Sequence, residues 1–146
     1  MTAPSRPEAA LRAFRRFRRR FPRAVYLVVG EAASTSVHEL LTDEPELAEG
    51  VLAMGHVDAS MSVRYMATVD AALSLCLPTG GEASHGTIRL MGLGKVVCVP
   101  NEGSSSEMPD DCCIKIDVRE GEEEAIWAAL SALAENQALR SRIGAN

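Results

Sequence analysis

The chain has 146 residues, of which 47% are hydrophobic and 24% are charged, and its formal net charge is −5. This length predicts one domain, residues 1–146, with a sizeable core, and the composition is typical of a soluble globular protein. No apolar run approaches the ~18 residues that a membrane span requires. No apolar segment of the signal-peptide type follows the first arginines. We therefore expect a cytoplasmic protein.

The N-terminal segment is strongly basic, whereas the rest of the chain is acidic. Eight of the 15 basic residues lie within the first 24 positions, against one acidic residue, Glu8. Leu11–Arg23 (LRAFRRFRRRFPR) places all three phenylalanines at helical spacing on one face, and Pro22 ends the predicted helix. The arginines could bind an anionic membrane surface or a nucleic acid. Because no phenylalanine remains for base stacking, we do not expect nucleic-acid binding. We favour a helix that packs its phenylalanines on a sheet, and a membrane surface stays a minor alternative.

Apolar, β-branched runs alternate with helical patterns along the rest of the chain. The runs predict five strands: Ala24–Gly30, Val51–Gly55, Asp70–Leu77, Lys95–Val99 and Cys112–Val118. The helical patterns begin at Ser36, after Asp58, at Ser84 and near Glu122. The segments 31–36 and 100–106 are predicted loops. This alternation predicts an α/β fold, a Rossmann-like parallel sheet with helices on both faces.

The stretch from Pro78 to Gly94 carries the residues that are best suited to a ligand. It joins a strand to a helix through Gly80 and Gly81, whose backbone N–H groups can approach an anion, and a helix N-terminus favours negative charge. Four side chains there can hold hydroxyls as well as phosphate: Glu82, Ser84, His85 and Thr87. From the residues alone, two interpretations are equally open. One is a site for a phosphorylated or sugar-bearing ligand, and the other is an ordinary turn capped by Ser84.

Polar loops follow four of the predicted strands, at 30–36, 55–60, 78–86 and 100–107. Ligands of open parallel sheets bind at the carboxyl ends of the strands, where these loops would share one edge. This convergence is the best argument from the residues for a site.

The cysteines lack Cys-x-x-Cys spacing and lie mostly in or beside apolar runs, so we expect buried free thiols. His38, His56 and His85 form no ligand pair, and we predict no metal site.

The order of these elements resembles the C-terminal, donor-binding domain of GT-B glycosyltransferases of family 4 (glycosyl transferases group 1). The resemblance covers about residues 7–145. It rests on these segments: Arg23–Gly30, Val51–Val57, Val69–Leu75, Pro78, Gly94–Val97, Gly103 with Glu107–Pro109, and Ala138–Gly144. It implies half of a GT-B fold that binds a nucleotide-diphosphate sugar, as a substrate rather than a cofactor, for transfer of the sugar to an acceptor.

The family pattern also implies a set of site residues. Glu82 would accept hydrogen bonds from sugar hydroxyls, and His56 and Val57 would lie against the nucleobase. The backbone of Ser84, His85 and Gly86 would face the diphosphate, whose departure positive charge and helix-end amides would stabilise. Further residues of the same loops complete the implied donor site: Gly30, Gly80, Gly81, Thr87 and Glu107.

One departure from the family pattern concerns Arg89. The family usually carries a Glu-x7-Glu pair whose second glutamate holds the ribose. Here Arg89 lies near that second position, and the first glutamate is displaced by one residue. A subset of the family carries a Gly-Glu-x-Ser…Arg form, so we expect Arg89 to bind the diphosphate and to act with Glu82 in catalysis.

A second departure concerns the start of the domain. The family's donor domain opens with a strand and a basic pair that clamps the diphosphate, and this sequence begins after both. That strand is normally central, between those predicted here at 24–30 and 70–77, so we expect two unpaired strand edges. Rearrangement or a partner chain, including a second copy, would close the gap, or else the chain is a piece of a longer protein. The N-terminal acceptor domain is also missing, so the isolated chain should bind donor weakly and turn over little.

A non-catalytic α/β module, either nucleotide-binding or protein-interacting, is the competing class of function. The two classes differ in one measurable property, because only a donor-binding domain is expected to be stabilised saturably by one class of nucleotide sugar. The sugar, the base and the acceptor are not predicted by any residue in the chain.

Overall fold

The computed structural model describes residues 7–75 and 85–146 of the protein. In these ranges the helices are α1 (Pro7–Arg20), α2 (Glu31–Asp43), α3 (Ala59–Thr68), α4 (His85–Gly92), α5 (Glu122–Glu135) and α6 (Gln137–Gly144). The strands are β1 (Tyr26–Val28), β2 (Val51–Ala53), β3 (Ala71–Leu73), β4 (Val96–Pro100) and β5 (Ile114–Ile116). Two short 3-10 turns cover Pro45–Leu47 and Gly103–Glu107. No helix within the described ranges is long and apolar enough to cross a bilayer.

The strands form two parallel sheets. β1 pairs with β2, with Tyr26 opposite Val51, and β3, β4 and β5 form the second sheet in that order. Helices flank both sheets, so the predicted α/β, Rossmann-like fold is confirmed. Within the described residues no strand lies between β1 and β3, as the resemblance implied.

The main core surrounds β4. All five of its residues are buried, because β4 is the central strand of its sheet and is covered by helices. One cluster on this sheet contains Cys98, Ile116 and Ile126, and α5 contributes most of its helical side. A smaller cluster contains Leu11, Val28, Val37 and Leu47 and lies at the two-stranded sheet.

Helix α1 joins the two clusters. Ala10 and Ala13 pack in the larger cluster, whereas Leu11 packs in the smaller one. Phe14 and Phe17 are buried, and the Phe14 ring lies 5.3 Å from the ring of Tyr26 in β1. The prediction that this basic helix packs its phenylalanines on a sheet is therefore confirmed.

Five of the six arginines of α1 are paired with acidic residues from other parts of the chain. Arg12 lies 2.8 Å from Glu44, Arg18 lies 2.9 Å from Glu49, and Arg15 lies 3.8 Å from Glu46. Arg16 and Arg20 form ion pairs with α5, through Glu124 and Glu135. These pairs use much of the positive charge that the membrane alternative requires, because each carboxylate offsets one guanidinium.

The predicted loop at 31–36 is wrong. Helix α2 begins at Glu31, and Gly30 is its N-cap at φ 114°. A residue with a side chain rarely adopts this conformation, so the glycine sets the start of the helix. Ser36, the predicted cap, lies inside α2.

Two other elements differ from the sequence prediction. The predicted loop at 100–106 contains the turn Gly103–Glu107, in which the Ser106 hydroxyl donates to the Gly103 carbonyl oxygen at 2.7 Å. The C-terminal helix is divided in two at Asn136, whose side chain accepts from the N–H of Leu139 at 2.9 Å and so caps α6.

The described cysteines are free and buried, as expected: Cys98, Cys112 and Cys113. Burial raises the pKa of Cys98 to about 12 and that of Cys113 to about 11. Both thiols therefore remain protonated near neutral pH, and they are poor nucleophiles there because the thiolate is the reactive form.

Candidate functional site

The carboxyl ends of the strands are followed by helical N-termini. β1 leads through Gly30 into α2, β2 leads through Gly55–Asp58 into α3, and β4 leads into the turn Gly103–Glu107. Helix α4, which follows β3, begins at His85. We call this set of helix starts the rim, defined by Gly30, Gly55–Asp58, His85–Thr87 and Glu102–Glu107. Free N–H groups and the positive end of a helix dipole favour an anion at such positions.

Ser34 holds two parts of the rim together. Its hydroxyl accepts from the N–H of Gly55 at 2.9 Å and donates to the carbonyl oxygen of Val28 at 3.4 Å. The N–H of Gly30 donates to the carbonyl oxygen of Gly55 at 2.9 Å. These bonds fix the loop after β1 against the loop after β2. Ser34 was not predicted from the sequence as a residue of the site, because its hydrogen-bond partners are distant along the chain or lie in the preceding strand.

Gly30 leaves room for a ligand beside the first turn of α2. No side chain caps this helix at Gly30, and a Cβ added there would meet no described atom within 4 Å. The φ angle of 114° disfavours any residue with a side chain. A ligand anion can therefore approach the backbone N–H groups at this helix start.

His56, Val57 and Asp58 extend from the same part of the rim. His56 is exposed and Val57 is half-buried. The Asp58 side chain accepts from the N–H of Met61 at 2.8 Å, so it caps α3, and the helix begins after Asp58 as the sequence predicts. The cap fixes the loop that carries His56 and Val57, and their predicted contact with a nucleobase stays a prediction.

Helix α4 carries four of the predicted site residues. His85 is exposed, Gly86 is half-buried, and Thr87 is only 4% exposed. The Thr87 hydroxyl lies 2.7 Å from the hydroxyl of Ser74, just after β3. This bond positions the start of α4 against the end of the strand, so the Thr87 side chain holds the turn while its backbone remains part of the helix start.

Arg89 and His85 lie on one face of α4. They are four residues apart in a helix and both are exposed, so their side chains are neighbours. Helical side chains tilt toward the N-terminus. The Arg89 guanidinium can therefore reach back toward an anion at the start of α4, where His85 also lies.

The turn after β4 contains a polar group that was not among the site residues predicted from the sequence. The Ser104 hydroxyl is buried and has no hydrogen-bond partner in the part of the chain that the structure describes. Glu102 is engaged with Arg119 at 2.7 Å, and Glu107 is exposed. A buried hydroxyl without a partner is costly, and the Ser104 oxygen is covered by protein atoms.

Four predicted site residues lie outside the described residues: Gly80, Gly81, Glu82 and Ser84. The roles of these residues stay predictions. Within the described ranges no group of three or more His, Cys, Asp or Glu side chains could hold a metal ion.

No family model and no curated protein matches the sequence. Solved structures match by fold. The C-terminal domain of LpcC, a glycosyl transferase group 1 family protein from Francisella tularensis, superposes with a TM-score of 0.74 at 15% identity. The match covers 96% of this chain and 74% of that one. The chain has the fold of the C-terminal half of a GT-B glycosyltransferase.

Two larger structures share this GT-B half. HepE from Anabaena, solved with UDP and glucose, matches with a TM-score of 0.73 at 17% identity, over 100% of this chain and 40% of HepE. A TarM mutant from S. aureus, solved with UDP and two other ligands, matches with a TM-score of 0.73 at 14% identity. The match covers 99% of this chain and 29% of TarM. The chain thus spans less than half the length of these two proteins.

Proposed function

We propose that this chain is the donor-binding domain of a glycosyltransferase and that it holds a nucleotide-diphosphate sugar at the rim. The observation that carries the proposal is the shared fold, since HepE has been solved with UDP-glucose and matches 94% of this chain with a TM-score of 0.73. The rim gives the proposal a physical basis, because helix starts provide N–H groups for a diphosphate.

The diphosphate would bind at the start of α4. The backbone N–H groups of His85, Gly86 and Thr87 lie in its first turn, and Arg89 adds a permanent positive charge on the same face as His85. Gly80, Gly81 and Ser84, which precede the helix, would extend this cradle, and Gly30 would approach from the start of α2. Phosphate bound by helix-end amides and a guanidinium requires no metal from the protein.

The nucleoside and the sugar would occupy the two sides of this cradle. His56 and Val57 would contact the nucleobase, because they are presented on a loop that Ser34 and the Asp58 cap hold in place. Glu82 would accept from sugar hydroxyls. Glu107, which is exposed, would provide a further polar contact from the turn after β4.

The chemical step that these residues support is departure of the nucleoside diphosphate. Negative charge develops on the diphosphate as the bond between the sugar and the diphosphate breaks. Arg89 and the α4 amides would stabilise this charge in the transition state more strongly than they stabilise the bound donor in its ground state. Loss of one such preorganised donor typically slows a reaction by about 100- to 1,000-fold. Transfer of a hexosyl group would also require an acceptor-binding domain.

Isothermal titration calorimetry with UDP, UDP-glucose, UDP-N-acetylglucosamine, GDP-mannose and ADP-glucose tests the proposal. We expect saturable binding of one nucleotide class, with Arg89→Ala weakening it by about tenfold or more, since a charge-assisted hydrogen bond is lost. Arg142→Ala is the matched control. It removes an exposed arginine from α6, which lies beside Gly94 at the amino end of β4, opposite the rim.

Two outcomes would contradict parts of this proposal. Absence of saturable binding for every nucleotide in the panel would overturn the donor-binding function and favour a non-catalytic interaction module. Equal affinities of Arg89→Ala and Arg142→Ala would leave the function standing but would remove Arg89 from the site.

A further inference from the structure

Two adjacent cysteines lie next to an exposed turn at the amino end of β5. Cys112 and Cys113 come directly before this strand and are buried, at 8% and 3% exposure. Pro109, Asp110 and Asp111, which precede them, are exposed. Because β4 and β5 are parallel, the amino end of β5 lies opposite the rim, which follows the carboxyl ends of the strands. The cysteine pair is therefore separate from the candidate donor site.

The two thiols share one acceptor. The Cys112 thiol donates to the carbonyl oxygen of Pro109 at 3.2 Å, and the Cys113 thiol donates to the same oxygen at 3.6 Å. The backbone N–H of Cys112 also donates to it, at 3.3 Å. A carbonyl oxygen has two lone pairs and a thiol is a weak donor. The two sulfurs therefore lie on the same side of the turn, and neither is held there by a strong hydrogen bond.

The sulfurs are also close to each other. Burial raises the pKa of Cys113, and a hydrogen bond with the Cys112 side chain adds to this effect. The Cα atoms of neighbouring residues lie ~3.8 Å apart across a trans peptide, whereas disulfides usually join Cα atoms about 4.4–6.8 Å apart. A metal ion with bonds of about 2.3 Å to sulfur spans two sulfurs that are roughly 3.8–4.0 Å apart. Neighbouring thiols at hydrogen-bonding distance thus suit a bridging metal better than a disulfide.

The surroundings of the pair supply soft donors. Cys112 and Cys113 share a core cluster with two valines of β4, and Met91 and Met108 pack against it. Within the described ranges, no third His, Cys, Asp or Glu completes a metal-binding group with them. Zinc sites usually have four ligands, and iron–sulfur clusters are usually held by four cysteines. Thiolate and thioether ligands also select Cu(I), which accepts fewer ligands than zinc and fits a pair of thiols.

A lysine beside the pair can offset negative charge on the sulfurs. The Lys115 side chain is 20% exposed, and its Nζ atom lies 2.6 Å from Asp110. Burial is the largest influence on the pKa of Cys113 and raises it, whereas the charge of Lys115 lowers that pKa. Asp110 acts against Lys115 to a smaller extent. The net effect of these two charges favours the thiolate, which is the form that binds a metal.

We propose that Cys112 and Cys113 bind one Cu(I) ion as a pair of thiolates. The ion replaces both thiol protons, which pass to water, and two copper–sulfur bonds form with no change in the oxidation state of copper or sulfur. The bound unit carries one negative charge, which Lys115 offsets. The Pro109 carbonyl oxygen keeps the N–H of Cys112 as its donor.

This inference does not depend on the proposed function, because the pair lies away from the rim. It also differs from the sequence expectation of no metal site. That expectation rested on the ligand spacings of zinc-type sites, which a copper site of two thiolates does not require.

Competition for Cu(I) under anaerobic conditions tests the proposal. The reduced protein is titrated into Cu(I) bound to the coloured chelator bicinchoninate, and loss of colour measures the copper transferred. We expect one copper per chain, and an equal concentration of Zn(II) should not displace it. Cys112→Ser and Cys113→Ser should each weaken binding by more than the ~10- to 100-fold that is typical for loss of a group outside the ligand set.

Cys98→Ala and Cys76→Ser are the matched controls. Cys98 belongs to the other core cluster of the three-stranded sheet, and Cys76 lies outside the described residues. Both variants keep the pair, so each should still take up one copper. Far-ultraviolet circular dichroism checks the fold of every variant.

Two measurements on the unaltered protein keep the test decisive where a serine variant unfolds. With ¹³C-labelled cysteine, the Cβ resonances of Cys112 and Cys113 should shift when Cu(I) binds, and that of Cys98 should shift least. X-ray absorption at the copper edge should show copper bonded to sulfur only.

Three results would overturn the proposal. Failure of the protein to remove copper from the chelator would show that the pair does not bind Cu(I). Loss of binding in Cys76→Ser or Cys98→Ala, with binding kept in both serine variants of the pair, would place the copper elsewhere. Nitrogen or oxygen ligands in the absorption spectrum, or unchanged Cβ resonances of Cys112 and Cys113, would mean an adventitious ion only.

Discussion

The two sheets are built from similar apolar strands, yet they are covered to different extents. Every residue of β4 is buried in the three-stranded sheet. In and just after β2, by contrast, Leu52 is 50% exposed and Met54 is 37% exposed. In the three-stranded sheet, β4 has a strand on each side and helices on its faces, whereas in the two-stranded sheet each described strand has only one neighbouring strand.

The core of the smaller sheet includes a residue from α1. Leu11 inserts from α1 into the cluster of Val28, Val37 and Leu47, while Ala10 and Ala13 of the same helix pack in the larger cluster. Since no described strand joins the sheets through backbone hydrogen bonds, helix packing must transmit stability between them. We expect the two-stranded unit to open before the rest, because local stability follows the density of buried contacts.

Leu11→Ala is the strongest test of this dependence. Leu11 is fully buried, so its truncation should lower the free energy of unfolding by about 2–5 kcal/mol. Amide exchange should accelerate more at Met54, beside β2, than at Ser74, beside β3. Ile126→Ala is the control, since Ile126 is equally buried but lies in the larger cluster. Equal acceleration at Met54 and Ser74 in the Leu11 variant would contradict a separable two-stranded unit.

Gly144→Ala tests how α6 is attached to the three-stranded side. A Cβ at Gly144 would overlap the carbonyl oxygen of Gly94, so the helix would have to move. We expect a loss of about 1–3 kcal/mol in thermal or chemical unfolding. Gly92→Ala is the matched control within α4, where a Cβ meets no described atom within 4 Å, and it should stabilise by about 0.5–1 kcal/mol. A neutral Gly144 variant would show that α6 is loosely docked.

The loss of stability at alkaline pH tests one titratable group in each sheet. Burial raises the pKa of Tyr26 in β1, and that of Cys98 in β4, to about 12. Above pH 10 the unfolded chain releases the tyrosine proton while the folded chain keeps it, so stability falls as pH rises from 10 to 12. The loss from Tyr26 should be about 2 kcal/mol at most.

Two variants separate these contributions. Tyr26→Phe should flatten the stability profile between pH 10 and 12, as measured by urea unfolding at each pH. Cys98→Ala should instead flatten it from pH 9 upward, because an ordinary thiol titrates earlier than a phenol. If Tyr26→Phe left the profile unchanged, the Tyr26 hydroxyl would be accessible to water in the folded protein.

The contact between α1 and α5 should give the smallest effect. Arg16 lies 4.0 Å above the ring of Trp127 and pairs with Glu124, but it is partly exposed. Arg16→Gln should therefore cost less than about 1 kcal/mol. Salt at about 1 M should reduce the ion-pair part of this cost and leave the ring contact. A larger cost that is insensitive to salt would mean that packing rather than charge joins the two helices.

The sequence predicted the elements that local residues determine. Pro22 follows the end of the first helix, α3 begins after Asp58, and Gly94 closes α4 at φ 70°. The start of α2 was not predictable in the same way. Gly30 adopts its positive φ where its N–H bonds to Gly55, 25 positions further along the chain. Such a contact leaves no local pattern.

The candidate site was predictable only in part. The helix that begins at His85 follows from local signals, whereas Arg89 was selected from the family pattern, and the predicted turn at Gly80 and Gly81 lies outside the described residues. Ser34 and Ser104 had no such signal, because a serine in a helix becomes distinctive only through its burial and its distant neighbours. The strand missing between β1 and β3 was expected from the family resemblance rather than from composition or periodicity.

The packing of α1 on α5 has a consequence for biosynthesis. Arg16 and Glu124 are 108 positions apart, so a ribosome adding residues one by one exposes the basic, phenylalanine-bearing helix long before its partner emerges. At typical elongation rates this interval is roughly 5 to 20 s. During that time the nascent chain presents an amphipathic, cationic segment to the cell, so we expect chaperone engagement there and slow final closure of the domain.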